Sequence, residues 1–298
     1  MTLTEYLNKV LVSQTLKEDS PERVRLRRHR AAVEKLLRET FPDSSPTIKY
    51  GGSVAKNTLI KDAYDLDIIC YFEHDDEKPG QSLADIYRNV SEALSVSYFV
   101  QPKRSSLRLK GKSDVDYLED FHVDVVPGRY TDASRGDCYI HQAEGEKIRL
   151  KTNIDKHIEH IRDSGLTPII RIMKLWNVQN GINLKTFGME LLVIEALKRH
   201  KSASLGDQFT RMLTKLREEA HSLSIEDPAN PAGNLLSSLL DDGIRNRLVS
   251  TATSNLSQIE DGNLTILFGD VATAENAIPL ASIISSVGDR GTKPWASE

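Results

Sequence analysis

The chain has 298 residues, a formal net charge of -4, and 39% hydrophobic and 28% charged residues. This length suffices for two compact lobes, and the composition is that of a globular protein. The modest negative charge argues against sequence-independent binding of duplex DNA, although it is compatible with a local basic groove. With two cysteines and no long apolar run, we expect no disulfide framework, no signal peptide, no membrane span and a cytoplasmic location.

The N-terminal residues 3 to about 40 are predicted to be helical. Ser20 followed by Pro21 is a cap and first-turn signal that predicts the start of a second, long helix. Several arginines crowd the first turns of that helix: Arg23, Arg25, Arg27, Arg28 and Arg30. Two interpretations stay open, a solvated face paired with nearby acids and an electropositive rim for a nucleotide or regulatory ligand.

A mixed α/β region follows. We predict strands at 47–50, 65–72, 98–100, 107–110 and 121–126, and a helix at 83–94. Residues 68–72 are apolar on both faces, which predicts a buried central strand. Pro127 and Gly128 are predicted to close the last strand.

From about residue 150 the pattern becomes helical. Thr167 and Pro168 predict an N-cap and first helical position, and Asn180-Gly181 predicts the end of that helix. Further helices are predicted at about 186–200 and 208–220. We therefore divide the chain into 1–150, with the N-terminal helices and a lobe built on the sheet, and 151–298, a helical lobe.

Three aspartates lie in apolar strand sequences. Asp65 and Asp67, at i and i+2, project from one face, and Asp124 lies within His122-Val123-Asp124-Val125-Val126. Burying a carboxylate without a partner is costly, so three of them indicate cations as the partner. Other acids compete for the third role, but their polar run reads as a solvated loop: Asp114, Asp116, Glu119 and Asp120.

The Gly51-Gly52-Ser53 turn precedes the first two aspartates. Such a turn ahead of a helix offers backbone N–H groups and a hydroxyl to a phosphate. Gly52 lets the backbone approach closely, and Ser53 supplies the hydroxyl. Turn and aspartates together predict a two-metal phosphoryl-transfer site.

These residues resemble the DNA polymerase beta-like nucleotidyltransferase superfamily, whose signature is a Gly-Ser turn, an Asp-x-Asp strand and a distant third Asp. The 58–62 sequence Thr-Leu-Ile-Lys-Asp narrows the resemblance to the bacterial CD-NTases, oligonucleotide cyclases related to cGAS and oligoadenylate synthase. Residues 170–177 resemble that family's Arg-x-x-Lys-x-Trp helix, and 185–192 its Ser-Tyr-x-x-Glu-Leu-Leu segment. The chain departs from the second pattern, with Thr186 in place of Ser and Phe187 in place of Tyr.

The resemblance implies an α/β (α+β) fold, with a polymerase beta-like sheet lobe and a helical lobe joined by the N-terminal helices as a spine. It implies two Mg²⁺ (or Mn²⁺) ions on Asp65, Asp67 and Asp124, with Asp124 on the side of the attacking hydroxyl. Lys174 and Thr186 are expected to contact the triphosphate. Phe187 is expected to stack on the base, although a core position is an equal alternative.

The expected function is template-independent synthesis of a cyclic di- or oligonucleotide second messenger from ATP, GTP or other NTPs, in antiphage signalling. An activator and a downstream effector are implied without being identified, and no membrane or general nucleic-acid surface is expected. An RNA 3′ end and a protein hydroxyl are alternative acceptors. A catalytically silent nucleotide-binding protein is a further alternative, which the intact aspartate triad argues against.

Overall fold

A computed structural model describes residues 1–112, 122–144, 148–230 and 236–271. The chain is a mixed α/β protein with two compact units that interleave in sequence. The helical unit comprises Met1–Thr15, Asn57–Ala63 and the described residues from 159 onward. The sheet unit comprises Leu16–Lys56 and the described part of Tyr64–Ile158. Contiguous domains with a boundary at 150 do not describe this interleaving.

The helical unit begins with α1 (Leu3–Ser13) and resumes at Glu159, within α5 (Ile154–Arg162). Its remaining helices are α6 (Thr167–Gln179), α7 (Thr186–Leu197), α8 (Leu205–Glu219), a 3-10 turn (Ser237–Leu239), α9 (Asp242–Glu260) and α10 (Thr265–Phe268). Trp176 lies at 0% exposure in the core of this unit and donates its Nε1–H to Asn255 Oδ1 at 2.7 Å. No helix of the described ranges is long and apolar enough to cross a membrane.

The sheet unit contains three complete helices and seven strands among the described residues. The helices are α2 (Pro21–Thr40), α3 (Gly52–Ala55) and α4 (Leu83–Ser95). The strands are β1 (Thr47–Tyr50), β2 (Leu66–Phe72), β3 (Tyr98–Pro102), β4 (Leu107–Gly111), β5 (Val123–Tyr130), β6 (Cys138–His141) and β7 (Arg149–Thr152). The strand order is β1-β2-β5-β4-β3, with β6 pairing to β5 and β7 to β6.

Strand β2 is the central strand that its apolar sequence predicts. All seven of its residues are buried. It pairs antiparallel with β1 and parallel with β5, so both of its edges are satisfied by hydrogen bonds. The parallel pair is built by Leu66↔Val123 and the residues that follow. The predicted strands at 47–50 and 107–110 also match β1 and β4 within a residue or two.

The prediction that Pro127 and Gly128 end the last strand is wrong. Strand β5 continues to Tyr130. The change of partner explains how a proline is tolerated: β4 pairs only up to Val125, and β6 pairs only from Gly128, so Pro127 lies between the two antiparallel ladders. Gly128 is needed there, because a Cβ would lie 2.7 Å from Cys138 Sγ and 2.9 Å from the Tyr139 carbonyl oxygen.

Helix boundaries agree with the sequence in part. Ser20 is the N-cap of α2 and accepts a hydrogen bond from the Arg23 N–H, as predicted. Thr167, in contrast, is the first residue of α6, and Leu166 occupies the cap position without a side-chain cap. The nearby Ser164 hydroxyl instead accepts from the Leu166 N–H at 3.1 Å, which replaces the predicted cap by a tight turn.

Candidate active site

A row of three charged side chains crosses the middle of the sheet. Asp67 of β2 pairs in register with Asp124 of β5, and Asp124 pairs in register with Arg108 of β4. Residues paired in this way project from the same face of a sheet, on strands about 4.8 Å apart. All three are buried, with exposures of 3% for Asp67, 0% for Asp124 and 5% for Arg108. Buried ionised groups need compensating partners, so this row is the strongest candidate for a functional centre.

The glycine turn lies against the first of these aspartates. The Gly51 N–H donates to the Asp67 carbonyl oxygen at 2.8 Å, which ties the turn to β2. Gly52 has φ +53° and opens the single-turn helix α3. A Cβ on Gly52 would lie 1.6 Å from Asp67 Oδ2, so only glycine leaves room for this carboxylate. Ser53 follows at 8% exposure. The predicted turn and Asp67 are therefore neighbours.

Arg108 is a residue of this centre that the sequence analysis missed. Its Nε donates to Asp124 Oδ1 at 3.1 Å and its Nη2 to Asp124 Oδ2 at 3.2 Å, so the guanidinium makes a bidentate contact with one carboxylate. The sequence does contain a signal for Arg108, because this residue lies between Leu107 and Leu109 in an apolar strand. A basic side chain between two buried leucines needs a buried acid.

The predicted metal ligands are brought together in part. Asp67 and Asp124 share a face on adjacent strands, and Asp65 lies directly before β2, two residues from Asp67. Across the described ranges no group of three or more His, Cys, Asp or Glu side chains is close enough to hold a metal ion. Carboxylate oxygens are the donors that Mg²⁺ prefers, and the backbone positions suit a shared ion. The residues thus fit the metal in type and register, while the Asp124 carboxylate is bonded to Arg108. The competing acids Asp114, Asp116, Glu119 and Asp120 lie outside the described residues.

Lys174 lies in a buried polar cluster of the helical unit. Its Nζ donates to the Thr58 carbonyl oxygen at 2.6 Å, and the Thr58 hydroxyl donates to Glu190 Oε1 at 2.7 Å. The exposures of these residues are 4% for Lys174, 0% for Thr58 and 0% for Glu190. Arg171, one turn before Lys174, donates to the Leu59 carbonyl oxygen at 3.1 Å. The helix with the Arg-x-x-Lys-x-Trp pattern therefore holds the segment that joins the glycine turn to the Asp-x-Asp pair.

Thr186 and Phe187 begin helix α7. The N-cap of this helix is Lys185, which makes no side-chain cap bond. Thr186 is half-buried at this end. Phe187 is 1% exposed and belongs to the core of the helical unit. The burial of Phe187 favours the core alternative over base stacking.

The arginine run of α2 is largely paired with acids. Arg23 and Arg27 both contact the Glu18 carboxylate, and Arg30 contacts Glu34 at 2.9 Å. The Arg30 guanidinium also lies 4.9 Å from the centre of the Tyr50 ring. These contacts favour the solvated, acid-paired interpretation over an electropositive rim.

No protein-family model and no curated protein sequence matches the chain. Several solved structures are similar to the chain in fold. The Bradyrhizobium diazoefficiens CD-NTase CdnG in complex with GTP has a TM-score of 0.69 at 14% identity, covering 92% of this chain and 98% of that one. Escherichia coli MS115-1 CdnC with ATP has a TM-score of 0.62 at 18% identity, covering 83% and 91%.

A third structure is Vibrio cholerae DncV, a cyclic AMP-GMP synthase, in complex with a linear intermediate. Its TM-score is 0.62 at 15% identity, with 91% of this chain and 86% of that chain covered. At sequence identities this low, the structural similarity establishes the fold alone. The chain therefore has the fold of the bacterial CD-NTases.

Proposed function

We propose that this protein is a template-independent nucleotidyltransferase that makes a cyclic di- or oligonucleotide from NTPs. The observation that carries this proposal is the register of Asp67 with Asp124 beside the Gly51-Gly52-Ser53 turn. An oxygen-rich face next to a backbone donor site suits a triphosphate with its metal ions. Neighbours in fold include synthases of cyclic nucleotides and complexes with ATP and GTP, which supports the same substrate class here.

The glycine turn is proposed to hold the terminal phosphates. Gly52 brings the backbone close to Asp67, and the N–H groups at the start of α3 and the Ser53 hydroxyl are suitable phosphate donors. Rigid attachment of the turn to β2, through the Gly51 N–H and the Asp67 carbonyl oxygen, keeps these donors in register with the carboxylates. A fixed donor set of this kind stabilises developing negative charge on phosphate oxygens without reorganisation.

Asp65, Asp67 and Asp124 are the proposed ligands of two Mg²⁺ or Mn²⁺ ions. When bound, such ions activate the attacking hydroxyl and neutralise the departing pyrophosphate. The chain's own contribution is to hold the Asp67 and Asp124 carboxylates on two adjacent, largely buried strands, where their spacing is fixed by the β2–β5 pairing. Asp124 is also the proposed acceptor of the proton from the attacking ribose hydroxyl.

In the helical unit, Lys174 and Thr186 are the proposed triphosphate contacts. Thr186 lies at the N-terminus of a 12-residue helix whose partial positive charge favours phosphate. Lys174 is 4% exposed and donates to the Thr58 carbonyl oxygen, so a contact with phosphate would have to add to this bond or replace it. Base stacking by Phe187 stays a prediction that the core position of its ring does not favour.

The reaction joins two nucleotides and then closes the ring. A ribose hydroxyl of one NTP attacks the α-phosphorus of another, the new P–O bond forms, and the bond to pyrophosphate breaks. A second transfer of the same kind closes the ring with release of the second pyrophosphate. We propose that the product is a second messenger in antiphage signalling in the cytoplasm, with an activator and an effector still to be found. An RNA 3′ end or a protein hydroxyl would be served by the same donor chemistry.

Incubation with Mg²⁺ or Mn²⁺ and four α-labelled NTPs tests the proposal. We expect pyrophosphate release and conversion of label into a product larger than a mononucleotide. Asp67→Asn should abolish this conversion and leave the far-ultraviolet circular dichroism spectrum unchanged. Asp75→Asn is the matched control, because its carboxylate is 76% exposed and lies in a loop outside the sheet. Equal conversion by the Asp67→Asn and Asp75→Asn proteins would contradict the proposed site.

A further inference from the structure

Asp124 lies between a carboxylate and a guanidinium in the row that crosses the sheet. On one side, on β2, is Asp67; on the other, on β4, is Arg108. The Asp124 carboxylate is bonded toward the Arg108 side through both of its oxygens, at 3.1 Å and 3.2 Å. The two side chains have exposures of 0% for Asp124 and 6% for Arg108, so water contributes little to stabilising either charge.

The Arg108 guanidinium provides the positive charge that a bound metal ion would otherwise provide to the Asp124 carboxylate. In a buried site, the guanidinium charge offsets much of the cost of keeping Asp124 ionised. A divalent ion, if held by Asp67 and Asp124, would supply the same compensation. Two cations on one buried carboxylate repel each other, and a carboxylate drawn toward Asp67 loses part of its contact with Arg108. Guanidinium and metal are thus alternatives for the same oxygens.

We propose that Arg108 is a positioning residue that holds the Asp124 carboxylate when no metal is bound and competes with divalent metal for it. This inference rests on the proposed function, in which Asp124 is a metal ligand. The consequence is a site that stays folded and charge-compensated without metal and binds metal more weakly than its carboxylates alone would. Metal affinity then depends on Arg108 as well as on the carboxylates that would hold the metal.

The test is a Mn²⁺ titration followed by electron paramagnetic resonance of the free ion, without nucleotide. Arg108→Met removes the charge and keeps an unbranched apolar side chain. We expect its Mn²⁺ dissociation constant to fall by on the order of tenfold relative to the unsubstituted protein, because the competing cation is gone. Lys110→Met is the matched control: Lys110 is exposed on the same face of β4, two residues further along. Its dissociation constant should be unchanged.

Thermal melting supplies a second readout. Without metal, Arg108→Met should melt several degrees below the unsubstituted protein, and Mn²⁺ should recover more melting temperature in this variant than in the unsubstituted protein. If Arg108→Met does not fold, Arg108→Lys is the alternative variant, because it keeps a positive charge but loses the bidentate contact with Asp124. Its Mn²⁺ affinity should then exceed that of the unsubstituted protein.

Mn²⁺ affinity that is unchanged or weaker in the folded Arg108 variants would overturn the inference, since the guanidinium would then orient Asp124 for metal and not compete with it. Absence of Mn²⁺ binding in every variant would overturn it too. The failure of the proposed function looks different. Competition between Arg108 and Mn²⁺ together with label transferred only to an added RNA or protein acceptor would leave the inference standing and remove the cyclase assignment.

Discussion

The contact between Gly52 and Asp67 predicts a large effect of adding one methyl group. In Gly52→Ala the new Cβ would lie 1.6 Å from Asp67 Oδ2 and 2.5 Å from its Cγ. The carboxylate must recede by about 1.8 Å to reach an ordinary 3.4 Å contact. Displacement of a catalytic group by 1 Å costs on the order of 100-fold in rate, so we expect Gly52→Ala to lose at least that much turnover.

A matched control separates this displacement from backbone strain. Gly181 has φ +57°, close to the +53° of Gly52, and a Cβ there would meet nothing within 4 Å. Alanine in the left-handed region costs about 1–2 kcal/mol at either position. Both variants should therefore melt below the unsubstituted protein, but only Gly52→Ala should lose NTP turnover and Mn²⁺ affinity. Equal turnover and equal Mn²⁺ affinity in the two variants would refute the placement of Gly52 against Asp67.

Three further outcomes follow from the described contacts. Lys174→Ala should weaken NTP binding through loss of a charge-assisted phosphate contact, and an NTP-bound structure with Lys174 directed to bulk solvent would contradict this. Trp176→Phe loses the 2.7 Å bond to Asn255 and should lower stability by about 1 kcal/mol in thermal melts, without changing nucleotide affinity. Burial raises the pKa of the Cys70 thiol to about 12 and that of Cys138 well above its usual range. Both thiols should therefore resist Ellman's reagent at pH 8 until the protein is unfolded, and rapid native-state labelling would contradict their burial.

Five of the seven described strands were predicted from their hydrophobic patterns, whereas the short strands β6 and β7 were not. Strand β2 is apolar on both faces and proved to be central and fully buried. The continuation of β5 through Pro127 was not predictable in the same way, because it depends on which neighbouring strand pairs with each part of β5. Partner choice is a long-range property that local sequence does not encode.

The candidate site shows the same division. Gly52 and Asp67 were expected to be close in space because the glycine turn and the Asp-x-Asp pair form one sequence signature, and they are close. No motif marks Arg108, and only the β4–β5 register shows that Asp124 is its partner. Lys174 could be placed on a helix from its spacing, but its bond to the Thr58 carbonyl oxygen depends on how Asn57–Ala63 groups with the helical unit.

The interleaving of the two units was also not predicted from the sequence. The predicted secondary structure becomes helical near residue 150, which suggests contiguous domains, whereas Met1–Thr15 and Asn57–Ala63 belong to the helical unit. Apolar periodicity identifies which face of α1 is buried but not which unit buries it. The answer lies in core contacts such as those of Tyr6 and Leu7, both at 0% exposure in the core of the helical unit.

Analysis of the nucleotide product tests the central claim most directly. The purified protein is incubated with Mg²⁺ or Mn²⁺ and all four NTPs, and the product is treated with phosphatase and weighed by mass spectrometry. We predict a species that resists phosphatase, because a ring has no terminal phosphate. Its mass should equal a whole number of nucleoside monophosphates less one water for each, because every nucleotide is joined by a phosphodiester bond. Label that appears only when RNA or a protein acceptor is added, and that stays entirely on that acceptor, would contradict the cyclase assignment and favour an end-modifying or nucleotide-transferring enzyme.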